Sequence, residues 1–469
     1  MNAEAQPHAG EKLIRLLAFT LVLSSMSATM FNIVLPEMSR EYDLSFSQVS
    51  WVSAVYMLLY AIGSALYGKL ADVFKLKNLL TFGLVFFFAG SFVGLAAQAF
   101  WMVLLGRILQ AAGASVIPAT AMIIPVRYFP AERRGRALGI SATGLAIGNA
   151  VGPVVSAAIA AVAHWRWLFA VPLLILFTLP LYRKYLNDEP SRPGRIDWIG
   201  SGLLAGAVAL LLIAVTLGMR LPAAGSLLLL LLFIARIRTA AEPFVQPRLF
   251  RNGRYSLALA LAALVSGIGF SLPFLTPKLL AEVHHLAPGW IGFAMVPAAA
   301  VSALLGRTGG KLADRKGNAF LFGIASASIM AGFALLSSWA GVSPLLVALF
   351  LILCNVGQMF LQLALSNTIS RTLPKDQVGV GMGLLSMLNF LSGSVSMGLY
   401  GKIADVGARI PWNPLSANPD AYVFSNLYAA LAVLHVGILL LYRRQFAEEA
   451  GAPRRPQGRP GREIEDSAH

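Results

Sequence analysis

Gly68-Lys69-Leu70-Ala71-Asp72 returns as Gly310-Lys311-Leu312-Ala313-Asp314, 242 positions further along the chain (68 to 310). Each copy follows an apolar run, near 51–70 and near 289–306. Working outward, twelve more such runs lie near 13–35, 79–97, 102–123, 137–162, 165–182, 198–217, 221–235, 255–276, 319–339, 344–365, 380–401 and 421–442. About 20 mostly apolar residues carry a helix across the hydrocarbon core. Fourteen spans are therefore expected. Twelve is the alternative if the middle of the chain divides differently, because 165–182 is short and holds Pro172 and Pro180, and 221–235 is brief and nearly all leucine. The pentapeptide closes the second run of two six-run sets, and internal repeats of this kind build many membrane proteins.

Composition points the same way. Of 469 residues, 57% are hydrophobic and 12% charged, whereas soluble domains are about a quarter charged. Disorder and an ordinary soluble enzyme are excluded. A single cysteine, Cys354, leaves no intramolecular disulfide, and the six histidines show no metal-ligand spacing. No metal, cofactor or cleavable signal peptide is expected, and the first run reads as the first span. The net charge of +16 would suit nucleic acid, but its distribution excludes that partner. With the N-terminus cytoplasmic, thirty of the 37 basic residues fall in cytoplasmic segments, six in external ones, and Arg107 within a span. Positive residues favour the cytoplasmic side, and a wrong span count would scramble this sorting. Both termini are placed inside.

The chain then divides into a cytoplasmic tail (1–12), an N-terminal six-helix bundle (13–186), an inserted helix pair with linkers (187–254), a C-terminal six-helix bundle (255–442) and a basic tail (443–469). A third run, Gly401-Lys402-Ile403-Ala404-Asp405, falls on the external side and is read as chance.

These residues resemble the major facilitator superfamily in its fourteen-helix drug:proton antiporter branch, nearest to Gram-positive tetracycline-efflux proteins. The resemblance spans nearly the whole chain. It rests on Asn32 to Pro36 at the end of the first span, Gly68 to Asp72, Gly310 to Gly317, Gly106 to Gly113, the series Gly144, Gly148, Gly152 and Pro153, and Pro247 to Asn252. It implies an all-α fold of two six-helix bundles plus two inserted helices, working as a monomer in the bacterial cytoplasmic membrane. The expected activity is export of a small amphipathic solute by alternating access, with a proton as the coupling ion. The resemblance also makes Gly68, Asp72, Gly310, Asp314 and Arg315 gate residues, and Gly144, Gly148, Gly152 and Pro153 an antiporter motif. Val73 and Lys75 stand where the family's gate loop has arginine and glycine.

The physics of each motif can be stated. A glycine lets helices approach closely, and a carboxylate facing a helix N-terminus gains about 0.3–1 kcal/mol. Gly144, Gly148 and Gly152 recur every four residues on one face, and Pro153 favours a kink. Arg107 is costly in a span and should face protein or water with a partner, with Gln110 one turn below. No Asp or Glu falls inside any apolar run. Where the tetracycline-efflux branch carries acids, this chain has Ala28, Asn149 and Gly393, and Gln362 replaces a lysine. The solute path is expected to be neutral and amide-rich, formed by Phe31, Asn32, Tyr56, Arg107, Gln110, Asn149, Gln358, Gln362 and Asn389. Asp72, Asp314 or His435 would have to carry a proton. The alternative is export of a neutral or anionic metabolite, facilitated or coupled otherwise.

Overall fold

The computed structural model describes residues 5–186, 196–374 and 377–446. Fourteen helical segments there are long and apolar enough to cross a membrane. We number them as spans 1 to 14: Gly10–Ile33, Phe46–Ala71, Leu76–Leu95, Phe100–Pro125, Arg136–Val162, Trp165–Tyr185, Trp198–Leu217, Arg220–Thr239, Gly253–Glu282, Pro288–Gly306, Asn318–Trp339, Pro344–Thr372, Val380–Val406 and Pro419–Phe446. Helices dominate because lipid leaves no partner for an unpaired backbone amide or carbonyl. The fourteen-span expectation holds, and the two doubtful runs differ in kind. Span 6 is broken into short 3-10 and α-helical pieces around Pro172 and Pro180. Span 8 is one 20-residue helix that takes in flanking arginines.

Small residues set the packing inside the N-terminal half. A methyl group added at Gly90 would lie 2.5 Å from the Gly106 carbonyl oxygen, so spans 3 and 4 touch backbone to backbone. The same holds for spans 5 and 1. A methyl at Gly144 would meet the Ala18 carbonyl oxygen at 2.6 Å, one at Gly148 the Ser25 hydroxyl at 2.0 Å, and one at Gly152 the Thr29 hydroxyl at 2.4 Å. Only glycine allows this approach, which dispersion forces reward in lipid. The antiporter-motif glycines thus act first as a packing surface for span 1.

The two halves meet at one end. Ser394 Oγ in span 13 donates to the Ala54 carbonyl in span 2 at 2.8 Å. Tyr60 and Phe390 stack edge to face with ring centres 4.9 Å apart. Gly401 lies against Ser47. Gly292 of span 10 lies against Ala157 and the Pro153 carbonyl of span 5, with Gly289 against Ala161. Apart from the Tyr60–Phe390 pair, which lies near the middle of its spans, these contacts fall in the part of each span that the charge distribution places outside, and they close the external end.

The third pentapeptide belongs to this seal, which corrects its reading as chance. The Asp405 carboxylate crosses between halves and accepts the backbone N–H groups of Phe46 and Ser47, both at 2.8 Å. The sequence argument went wrong by tying the motif to the cytoplasmic side. Its carboxylate needs an exposed helix N-terminus, and the start of span 2 supplies one externally.

The inserted pair stands beside spans 2 and 13. Asp197 caps span 7, its carboxylate accepting from Gly200 N–H at 3.0 Å, Phe244 N–H at 3.1 Å and Arg236 Nε at 3.0 Å. Lys69 Nζ donates to the Pro243 carbonyl, fastening the following linker to span 2. Span 8 packs on span 7 and turns a row of leucines outward, among them Leu221, Leu227 and Leu231.

Candidate functional site

Span 4 carries Arg107 inward because Gly106, beside it, is clamped against span 3. The arginine is wholly buried. Its Nε donates to the Val52 carbonyl of span 2 at 2.9 Å, and its Nη1 to the Ser27 carbonyl of span 1 and to Gln110 Oε1, each at 3.0 Å. The guanidinium carbon lies 4.0 Å from the centre of the Tyr56 ring and 4.5 Å from that of Phe31, well within cation–π range. Gln110 Nε2 donates in turn to Ser91 Oγ at 2.8 Å. Phe31, Tyr56, Arg107 and Gln110 therefore form one cluster tying spans 1 to 4. Its complete burial keeps the guanidinium away from the membrane surface.

Two features of that cluster bear on chemistry. No carboxylate lies among the hydrogen-bond partners of Arg107, which are all neutral. Its Nη2 has no partner, an unusual state for a buried guanidinium. Among the described residues the full positive charge is held by dipoles and rings alone, with the two N–H groups of Nη2 to spare.

The C-terminal half supplies a second polar set at mid-depth. Gln362 Nε2 donates to Ser266 Oγ at 2.8 Å, and Ser266 Oγ donates to Asn389 Oδ1 at 2.7 Å. One turn away, Gln358 Nε2 donates to the Val265 carbonyl at 3.1 Å, while its Oε1 is unpaired. The three amides are half-buried, and Ser266 between them is buried. Asn389 directly precedes Phe390, whose ring meets Tyr60 of the other half, so the amide set lies beside a contact between the halves. From the N-terminal half, Asn149 is exposed and lies one turn before Pro153 and two before Ala157, on the face of span 5 that meets Gly292.

Other expected residues stand apart. Asn32 is buried against Ser53, whose Oγ donates to its Oδ1 at 2.6 Å, and does not touch Arg107 among the described contacts. His435 packs between spans 14 and 11, with Nε2 3.2 Å from Ser326 Oγ, inside the C-terminal half. The side chains of Asp72 and Asp314 lie outside the described residues. Arg315 is exposed at the cytoplasmic end of span 10. Gly68 and Gly310 correct an expectation, since a methyl at either would meet nothing within 4 Å. Among the described residues, no neighbouring helix presses on either glycine. Ser27, Ser91 and Ser266 were missed, since a serine inside an apolar run carries no spacing signal.

Comparison with known proteins follows from this geometry. Residues 17–397 match the profile described as Major Facilitator Superfamily. The chain belongs to that superfamily. It is thus a multi-pass membrane transporter. Its relatives include the riboflavin transporter RibZ of Clostridioides difficile, 25% identical over 89% of this chain and 94% of that protein. Multidrug resistance protein 3 of Bacillus subtilis is 27% identical over 72% of this chain and 68% of that protein. Among solved structures, a bacterial homologue of the human lysosomal transporter Spinster, described as inward-facing and unoccupied, aligns with a TM-score of 0.64 at 14% identity. It covers 97% of this chain and all of that one. A peptide-transporter-family structure with 5-aminolevulinic acid aligns with a TM-score of 0.67 at 13% identity, covering 95% of this chain and 97% of that one. These likenesses concern the fold.

Proposed function

We propose that this transporter exports an amphipathic, ring-bearing small molecule, neutral or anionic, by alternating access, with the solute bound at mid-depth between the halves. The observation that supports the reading is the wholly buried Arg107, which has no acidic partner among the described residues and keeps both N–H groups of Nη2 free. A cationic solute would be repelled by that charge, and the facing amides supply hydrogen bonds without a balancing negative charge. The aromatic rings of Tyr60 and Phe390, near the middle of their spans, suit a flat solute. Both a drug and a metabolite fit this chemistry. Relatives named for multidrug resistance support the first, and a relative named for riboflavin transport supports the second.

Exchange for protons is part of the proposal, with Asp72 or Asp314 as the titrating group. His435 is set aside because it packs within one half. The test uses everted membrane vesicles energised with a pH gradient. Tetracycline–Mg²⁺, fluoroquinolones, riboflavin and organic cations are added in turn, and gradient collapse is followed by a fluorescent amine. Collapse by neutral or anionic ring compounds and not by cations is expected. Transport that persists in the presence of a protonophore would remove proton exchange, and a response confined to cations would remove the solute class.

A further inference from the structure

The Asp405 carboxylate places one oxygen on Phe46 N–H and the other on Ser47 N–H. These are the first residues of span 2, where helix geometry leaves amide donors unpaired and the helix dipole is positive. The contact joins the two halves of the transporter, since span 2 belongs to one and Asp405 ends span 13 of the other. Neighbouring residues of the same pentapeptide complete it. Gly401 brings span 13 against the backbone of Ser47, where a methyl group would sit 3.0 Å from Ser47 Cα. Lys402 Nζ donates to the Thr216 carbonyl at 3.2 Å. Thr216 lies at the external end of span 7, in the inserted pair, and its Oγ1 accepts from Trp51 Nε1 of span 2 at 3.1 Å. The inserted helix is thus bonded to both halves at one residue.

On the other flank, Phe46 meets Phe274 of span 9 with ring centres 5.0 Å apart, and Lys278 Nζ lies 4.3 Å from the Phe46 ring centre. The contacts of Asp405 and Gly401 with span 2, and of Phe46 with span 9, join the two halves directly and would part if the external ends separated, while Thr216 could keep only one of its two partners. A contact made in one conformation and lost in the other biases the equilibrium between them.

We propose that Asp405 is a positioning residue for transport: with Lys402 and Thr216 it forms an external latch that sets how often the protein opens outward, and the inserted helix pair is the latch's third anchor. This assignment rests on alternating access between the two halves and on no particular solute. It differs from the gate roles of Asp72 and Asp314, which belong to the opposite end of the molecule.

The test measures the external opening directly, without substrate. Spin labels are placed at Val162→Cys and Ile410→Cys, exposed positions (87% and 72%) at the external end of opposite halves, in a Cys354→Ala background. Distance distributions are recorded by pulsed electron resonance. Asp405→Asn preserves size but sets an amide NH2 against one of the two N–H donors. It should move the ratio of long to short distances upward by roughly tenfold, equivalent to about 1.4 kcal/mol. Asp405→Glu keeps the charge and should shift the ratio less. A capping residue that only holds the fold would lower thermal stability while leaving the distribution of the folded protein unchanged, and that result overturns the proposal. Should Asp405→Asn fail to fold, Lys402→Met and Thr216→Val are measured instead. Each should lengthen the distances, and two unchanged distributions would equally overturn the latch. A transporter that passes this test but moves none of the proposed solutes would refute the solute assignment alone.

Discussion

The two halves of this transporter share a fold and treat their buried polarity in opposite ways. In the N-terminal half the polar groups converge on one charge, Arg107, which is enclosed by rings and fixed by bonds to spans 1, 2 and 4. In the C-terminal half they form a chain of neutral side chains, with half-buried amides at either end, from Gln362 through buried Ser266 to Asn389. A buried charge restricts what its surroundings can do, because each partner must stay in place or leave the charge unsolvated. Neutral amides can exchange one partner for another at small cost. The difference teaches that one half is built to hold a fixed field, and the other to adapt to what enters.

Replacing the charge should break this contrast most severely. In Arg107→Ala the Val52 and Ser27 carbonyls and Gln110 Oε1 lose their donor, each at a cost of about 1–3 kcal/mol where buried. We expect a lowered melting temperature in detergent and a loss of transport of at least about tenfold. Arg107→Lys should recover little of the transport, since an ammonium has no planar fork to lie between two rings. Full transport by both variants would show that the fixed field is not needed.

Next in size is Gly148→Val, which tests whether the N-terminal half is rigid because its helices touch. Even a single methyl there would come within 2.0 Å of Ser25 Oγ and 2.4 Å of the Val22 carbonyl. Separating spans 5 and 1 should cost on the order of 1–3 kcal/mol and be read as a fall in thermal stability. Retained stability with altered transport would instead support a moving contact.

A smaller and different effect is expected from Gln358→Ala and Gln362→Ala. Folding should be nearly unchanged, within about 1 kcal/mol, while the half-saturating solute concentration rises severalfold, by ~1 kcal/mol of lost binding, and the order of preference among solutes changes. Equal losses for every solute would argue against an adaptable wall.

The smallest effect sharpens the comparison by lying outside both halves. Neither inner polar set contains an acid, so acid sensitivity in the stability curve should come from elsewhere. Asp197 is one source. Burial would raise its pKa, but the N–H groups of Gly200 and Phe244 and the Arg236 guanidinium outweigh that and hold it below the ordinary carboxylate value. A lowered folded-state pKa gives stability that is present above the unfolded value, near ~3.9, and is lost as pH falls through the lowered one. Asp197→Asn should therefore cost about 0.5–2 kcal/mol at neutral pH, the range for an N-cap. The gap to the parent protein should close only below about pH 4. A gap that closes between pH 5 and 7 would contradict the assignment.

Much of this was legible in the chain itself. Span number and orientation followed from apolar length and the placement of arginine and lysine, because the bilayer imposes both. That Arg107 would need a partner, with Gln110 one turn away, was legible because a charge in lipid demands company; that Phe31 and Tyr56 would enclose it was not. Nor were its other partners. Two of its bonds go to main-chain carbonyls, at Val52 and Ser27, and a carbonyl has no letter in the sequence. Gly68 and Gly310 were read as close-packing sites, yet they face open space, since a single sequence does not say which end of an alternating structure is shut. Asp405 was discounted for its side of the membrane, although its chemistry was that of the motif.

Span 8 carries a consequence of its own. Twenty residues of helix rise about 30 Å, the thickness of a typical hydrocarbon core, and Arg220 and Arg236 mark its two ends. With its leucines turned outward, this rod takes its tilt from the fatty chains around it, and Ser226 Oγ hands that tilt to span 7 through a 2.7 Å bond to the Ala207 carbonyl. A thicker or thinner lipid leaflet would strain or slacken that rod at modest cost, so acyl-chain length should tune turnover even where no lipid headgroup is recognised.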